Sequence, residues 1–522
     1  MKKLLAAICI LLLACVLFAE VRGVVNFKPY FKFDNTPAAG VETSPRALTW
    51  KQNTGNQLDD WYMTKQDYWL EAFRNPSILD LGFVAQGDKF GVVFIMDIRQ
   101  DTLAYFKDGN KGNFSNIPFL KHMIELNFPR MGYIDFKSDN FYASVGRRQI
   151  KWGPATYDMA LADSQPFLDN AYIQIDIPMK NGWNFWYGFT GIAYKYFLGY
   201  GRYIDTSYVK NYFTEDDDHP TWGPKSTFTH KFAMENEHLR FSFAELNVVY
   251  GKDPSLLDFS PTVVWHDNYQ DDFSNVMLSF TGEAKYGPVR FFANFTMDDY
   301  DLPHENQGDE KFNSGKPAAI GAVGGIELNL LEGEEVKSSK FNYQDYALRE
   351  KTFKVNTGLN IGYEIYYCSK FMYNRGYDVG KFTSPYQFIS FAGSGYCYDE
   401  NAFFLGFKYG PDTLLHRFYV EYNNNPLSAY LSAELLKRGS YGIDSTYTKE
   451  YFNTNLETPY DISAPVTTVL LLEAGCSYFL QEGFKLDAQF GFTRDITHGT
   501  SAFRASIGAS IAICDVDWKN LF

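Results

Sequence analysis

Along Val289 to Met297 the odd positions Val289, Phe291, Ala293, Phe295 and Met297 are apolar, while Arg290, Asn294 and Thr296 take even positions beside Phe292. A period of two sends successive side chains to opposite faces of a strand, so one face here suits lipid and the other water. The preceding run alternates in the same way, with Val276, Leu278, Phe280, Gly282 and Ala284 against Met277, Ser279, Thr281, Glu283 and Lys285. Tyr286-Gly287-Pro288 between the two runs predicts a tight turn.

The alternation recurs in Phe353 to Tyr367, where Val355, Leu359, Ile361, Tyr363 and Ile365 oppose Lys354, Asn356, Asn360 and Glu364. It returns in Phe484 to Phe492, with Lys485, Asp487 and Gln489 on the wet face. Further strands are expected near 24–33, 79–98, 183–191, 401–423, 427–436, 466–480 and 502–513, and polar connections over 200–236, 299–315 and 437–464. Short turns on one rim and long loops on the other are the plan of an outer-membrane barrel, and the runs predict an even number of about 16 to 18 strands. The fold class read from this is all-β, a transmembrane antiparallel β-barrel. So wide a barrel needs water or inward-folded loops in its lumen.

The ends refine the picture. Residues 1–19 read as a signal peptide, two lysines followed by an apolar run ending at Ala19, with lipoprotein processing at Cys15 as the competing reading. The barrel domain is then 20–522, and the expected location is the bacterial outer membrane. The chain closes CDVDWKNLF, an alternating strand whose terminal Phe522 resembles the signal read by the outer-membrane assembly machinery. The apolar face is odd-numbered from Phe503 to Ile513 and even-numbered from Val516, which predicts a bulge near Cys514.

Aromatic residues make up 18% of the chain while mean hydropathy stays below zero, the pairing that half-lipid, half-wet strands produce. A formal charge of −14 argues against nucleic acid as a partner. Cys368, Cys397, Cys476 and Cys514 are widely spaced, with no metal or disulfide pattern, and the histidines show no hydrolase or HExxH spacing. No cofactor and no enzymatic activity are expected. The acidic runs at Glu215–Asp218, Asp271–Asp272 and Asp298–Asp301 could hold calcium through hard oxygens, but they lack the spacing of a known calcium loop and read as solvated tips.

Candidate chemistry lies on the lumen faces. Arg417, Tyr419, Glu421 and Asn423 oppose Leu414, Phe418, Val420 and Tyr422, and Ser428, Tyr430, Ser432 and Glu434 oppose Leu427, Ala429, Leu431 and Ala433. Tyrosines interleaved with charges can line a wet pore or stack on a sugar ring. In FYASVGRRQIKWGP, Tyr142, Ser144, Gly146 and Arg148 face the lumen, Arg147 emerges near the rim, and Trp152-Gly153-Pro154 stops the strand. The next segment carries Tyr157, Met159, Leu161, Phe167 and Leu168, which want cover, so it is expected to fold into the barrel beside Arg147, Arg148 and Lys151.

The run Gly146-Arg147, then Trp152-Gly153, then Leu161, Ser164 and Pro166, with EYNNN at 421–425 and ELLKRGSYG at 434–442, resembles segments of the Wzi-type capsule-assembly barrels. The resemblance implies an outer-membrane barrel of about eighteen strands that binds surface polysaccharide. It also implies a periplasmic helical bundle, which no segment between residues 20 and 140 suggests. Two functions follow as expectations: a pore for small polar or charged solutes, screened at a constriction of Arg147, Arg148, Lys151, Trp152, Tyr157, Arg417, Tyr419, Glu421, Tyr430 and Glu434, or a barrel that holds acidic polysaccharide. The expected partners are therefore membrane lipid, the assembly machinery, and small solutes or an acidic glycan.

Overall fold

The computed structural model describes residues 20–34, 77–100, 115–117, 124–162, 168–193, 225–250, 274–299, 318–331, 333, 348–355, 358–374, 380–390, 397–442, 445, 461–481 and 483–517. The leader and Cys15, Phe167, the acidic runs at 215–218 and 271–272, and Phe522 lie outside them.

Pairing through the chain is antiparallel between neighbours, and the first strand, Glu20–Phe27, pairs both with Leu79–Gln86 and with the last strand, Thr500–Asp517. The sheet therefore closes on itself and has no free edge. It is built from nineteen strands, but Tyr30–Asp34 continues Glu20–Phe27 against the same last strand across Lys28-Pro29, so nineteen less one gives eighteen staves. The expected bulge is present: Val25 pairs with Cys514 and Asn26 with Ala512, which leaves Ile513 as the extra residue. At Tyr286–Val289 the turn is two residues long, and Gly287 has φ 56, the positive angle that tight hairpin turns demand.

Three expected boundaries move: the run read from Phe353 to Tyr367 forms its strand only from Gly358, with Phe353, Lys354 and Val355 outside it, and two others shift as follows. Residues 200–236 read as a polar connection, yet Lys225–Glu235 is a barrel strand, paired on both sides. Its Lys225, Thr227, Thr229 and Lys231 are polar because they face a packed lumen, not because they lie in a loop. The run 401–423 is not one strand. Cys397–Phe404 pairs with Thr383–Ser390 in a separate two-stranded sheet, and the barrel strand starts at Thr413. Gly410 at φ 74, Pro411 and Asp412 at φ 57 break the run between them.

Outward side chains are large, apolar and exposed around the wall: Phe83, Val145, Ile175, Phe241, Phe280, Phe291, Ile365, Phe418, Leu431, Phe490 and Ile507. A belt of that extent is stable only against lipid. On the inner wall three rings lie over a glycine of the paired strand: Phe292 over Gly325, Tyr419 over Gly362 and Tyr430 over Gly475. At Gly362 a Cβ would lie 2.1 Å from the Tyr419 ring, so only glycine leaves room for it.

Three segments turn into the lumen. Residues 149–162 follow the strand Phe141–Arg148. Residues 369–374, 380–382 and 405–412, all from the connection between Gly358–Cys368 and Thr413–Asn424, flank the small sheet. Residues 348–355 come from the opposite rim. Met159, Leu161, Met372, Tyr373, Leu405 and Phe407 from these segments have no exposed surface, and they pack on inward wall residues including Leu246, Met277, Tyr366, Cys368 and Leu415. Burying each large apolar side chain contributes roughly 1.5–3 kcal/mol, so the lumen holds a hydrophobic core of its own.

Candidate functional site

Below that apolar core, towards the rim of short turns, lies a belt of buried charge. Strand alternation places Glu364, Arg417 and Glu434 on neighbouring inner faces, and Glu364 and Arg417 are directly paired across the sheet, as are Arg417 and Glu434. Arg417 donates to Glu364 at 3.0 Å and lies 3.3 Å from Glu434. From the inward segment, Tyr157 donates to Glu434 at 2.6 Å, Tyr409 donates to its other oxygen at 2.5 Å, and the Lys408 ammonium donates to the Tyr157 oxygen at 2.6 Å. The Thr156 amide completes the contact by donating to Glu364 at 2.8 Å. Burial and the nearby Glu434 carboxylate hold the Tyr157 phenol well above its ordinary pKa, so it stays a hydrogen donor.

The belt continues along the wall. Arg290 donates to Glu283 at 2.6 Å and to the Pro154 carbonyl at 2.9 Å, and Tyr419 donates to Glu327 at 2.7 Å. Lys354 and Glu421 pair at 2.7 Å at the wetter side of the belt. Each carboxylate is answered by a cation or donor, as buried charge requires. Nothing in this arrangement presents an activated nucleophile, and among the described residues there is no cluster that could hold a metal ion.

Of the residues singled out in the sequence, Tyr157, Arg417, Tyr419 and Glu434 come together in the belt, with the Arg417 guanidinium 4.4 Å from the Tyr419 ring centre. Glu421 lies beside them through Lys354. Tyr430 faces inward but is 41% exposed, so it lines an open vestibule near the short-turn rim and does not narrow the lumen. Arg148 is buried in the lumen but away from the belt, donating to Tyr142 and Ser144 and lying 4.6 Å over the Tyr133 ring. Arg147 departs from the expected constriction. It shares the outward phase of Val145 and makes a two-pronged pair with Asp169 at 2.8 Å. Trp152 is buried under the Lys231 ammonium, 4.7 Å from the ring centre, and Lys151 joins a short parallel pairing through its backbone.

Sequence reasoning missed Lys408, Glu350, Lys231 and Asp158. Glu283, Arg290 and Glu364 were readable as wet-face residues from the two-residue period. Lys408 and Glu350 lie in irregular segments where no period applies, and Lys231 sat in a stretch read as a connection.

No family model matches the chain, and no curated protein matches it. Solved structures that resemble it are those of Wzi, an outer-membrane protein involved in group 1 capsule assembly in Escherichia coli and described as a carbohydrate-binding β-barrel (14% identity, 96% of this chain and 86% of that one, TM-score 0.48), and of OpdQ from Pseudomonas aeruginosa (7%, 95% and 98%, TM-score 0.39). A BenF-like porin from Pseudomonas fluorescens is similar at 9% identity over 95% of this chain and 98% of that one, with TM-score 0.40. The closed eighteen-stave sheet and its apolar outer belt decide the class. The chain is a transmembrane β-barrel with the fold of outer-membrane proteins.

Within this barrel the lumen is layered. At the short-turn rim the wall is wet, with Lys485 and Asp487 each 25% exposed and paired at 2.9 Å. Next comes the charged belt, and beyond it the apolar plug. Inward residues elsewhere on the circumference are buried as well: Asn26, Asp80, Val93, Ile95, Asp97 and Met131 on the first strands, and Val469 and Leu471 on the strand beside Glu434.

Proposed function

We propose that this outer-membrane barrel is sealed by its inward segments and works as a binding and anchoring barrel for a surface polysaccharide, not as an open pore for small solutes. The observation that carries the reading is the plug. Met159, Leu161, Met372 and Phe407 have zero exposure in a lumen that an open channel would fill with water. An open pore would also leave its charged ring facing solvent, whereas Glu434 is 5% and Glu364 1% exposed, and both are consumed by bonds to the plug. A sealed lumen leaves the mouths as the places where a polymer can be held.

The glycan part of the reading comes from the short motifs shared with Wzi-type barrels, Gly146-Arg147, Trp152-Gly153 and EYNNN at 421–425. The second of these lies where the chain leaves the strand Phe141–Arg148 for the lumen, with Gly153 at φ 65. The test uses vesicles carrying the refolded protein. They should co-sediment with an acidic capsular polysaccharide and keep an entrapped small sugar. Vesicles that lose the sugar while ignoring the polysaccharide would reverse the assignment in favour of the solute pore.

A further inference from the structure

At the short-turn rim most connections are brief: Ser138 to Phe141, Tyr286 to Val289, Asn424 to Leu427 and Gln481 to Phe484. The connection between Ala319–Leu331 and Gly358–Cys368 is different, because it spans 332–357 and its residues 348–355 lie inside the lumen. There they meet the segment 149–154, which enters from the other rim. Leu348 and Arg349 pair in parallel with Ile150 and Lys151, and the Leu348 amide donates to the Gln149 carbonyl at 2.8 Å.

Side chains tighten this meeting. The Gly153 amide donates to Glu350 at 3.0 Å, and Lys231 of the wall pairs with the same carboxylate at 2.6 Å. That ammonium is 3% exposed and lies over the ring of Trp152. A second chain of bonds runs from the Phe353 amide to Glu283 at 2.7 Å, from Glu283 to Arg290, and from Arg290 to the Pro154 carbonyl. Wall, plug and the returning segment are thus joined through Glu350 and Glu283, each shared by two donors.

We propose that residues 348–355 are a strap that holds the plug segment 149–162 in its sealed position from the opposite mouth, so that the seal is set at the short-turn rim. The proposal rests on the sealed-barrel reading. Withdrawing the strap removes the Gly153 and Phe353 bonds together and leaves the buried Lys231 without its carboxylate, so the plug loses its hold on that side of the wall. Because the two segments are separated by almost two hundred residues of chain, nothing covalent near the contact keeps them together.

The test is planar-bilayer recording of the full-length refolded protein, comparing wild type with Glu350→Gln and with Phe353→Pro, which removes the amide that reaches Glu283 together with the ring beside Arg240. Both variants should show bursts of current about tenfold or more as frequent as wild type. Adding the pair Ile150→Cys and Leu348→Cys, whose backbones are register partners, should let oxidation silence Glu350→Gln and let a reductant restore the bursts. Each single-cysteine variant serves as the control. Variants as silent as wild type, or bursts unaffected by the cross-link, overturn the strap. Stable open steps in wild type would instead remove the sealed-barrel reading, and the strap with it.

Discussion

Glu434→Ala isolates the belt. The wild-type carboxylate is 5% exposed and accepts hydrogen bonds from Tyr157 and Tyr409, with Arg417 at 3.3 Å and Lys408 at 3.9 Å. Arg417, Lys408, Glu364 and Glu434 sum to zero charge, so the deletion leaves one buried positive charge and strands two tyrosine hydroxyls. Breaking such a pair from one side costs about 3–5 kcal/mol, and most of it falls on plug docking because the donors Tyr157, Lys408 and Tyr409 belong to inward segments. The assay follows urea unfolding in detergent by near-ultraviolet circular dichroism, which reports the packed rings of Tyr157, Tyr366, Phe407 and Tyr409, and by far-ultraviolet signal, which reports the sheet. The near-ultraviolet transition should move to lower urea and separate from the far-ultraviolet one. Adding Arg417→Met should recover part of the loss, because the stranded cation goes with it. Coincident transitions at the wild-type midpoint would refute the idea that Glu434 locks plug to wall.

Other consequences are more local. Gly362→Ala should cost about 1–3 kcal/mol in urea, because its Cβ would strike the Tyr419 ring, whereas Gly324→Ala, with open space around the position, should be tolerated. Phe280→Arg, at an outward position 46% exposed, should reduce folding into vesicles by about 2–4 kcal/mol if it lies near the bilayer midplane, and equal folding yields would argue against a lipid-facing wall there. Asp158 is buried and accepts the Ala160 and Leu161 amides, and burial raises its pKa despite Lys231 nearby. A folded-state pKa above the unfolded value means the folded form holds the proton more tightly, so stability from this group is full at low pH and falls as pH rises from the ordinary carboxylate range. Asp158→Asn should therefore flatten the loss between pH 4 and pH 8, and an unchanged difference between the two pH values would contradict it.

The barrel was legible because its code is local. Alternation along Val289 to Met297 and Phe484 to Phe492 names the lipid face directly, and the phase slip at the last strand was enough to place the bulge beside Cys514. The tyrosine-and-charge faces at 417–421 and 430–434 were legible for the same reason, and three of their residues, Arg417, Tyr419 and Glu434, do meet Tyr157 or its neighbours. The partners from the plug were not legible. Lys408 reaches Tyr157 across 251 positions and Gly153 reaches Glu350 across 197, and no sequence period links residues so far apart. Lys225–Glu235 was misread because its inward face, Lys225, Thr227, Thr229 and Lys231, answers a packed lumen with polar groups and so looks like a loop. Tyr430 was misjudged in depth, since alternation gives the face of a side chain but not its height in the lumen.

The seal itself is the central claim, and single-channel recording of the refolded wild-type protein in a planar bilayer tests it most directly. A lumen packed around Met159, Leu161 and Phe407 predicts a membrane that stays electrically silent apart from rare, brief events. Long-lived, reproducible conductance steps with ion selectivity would contradict it.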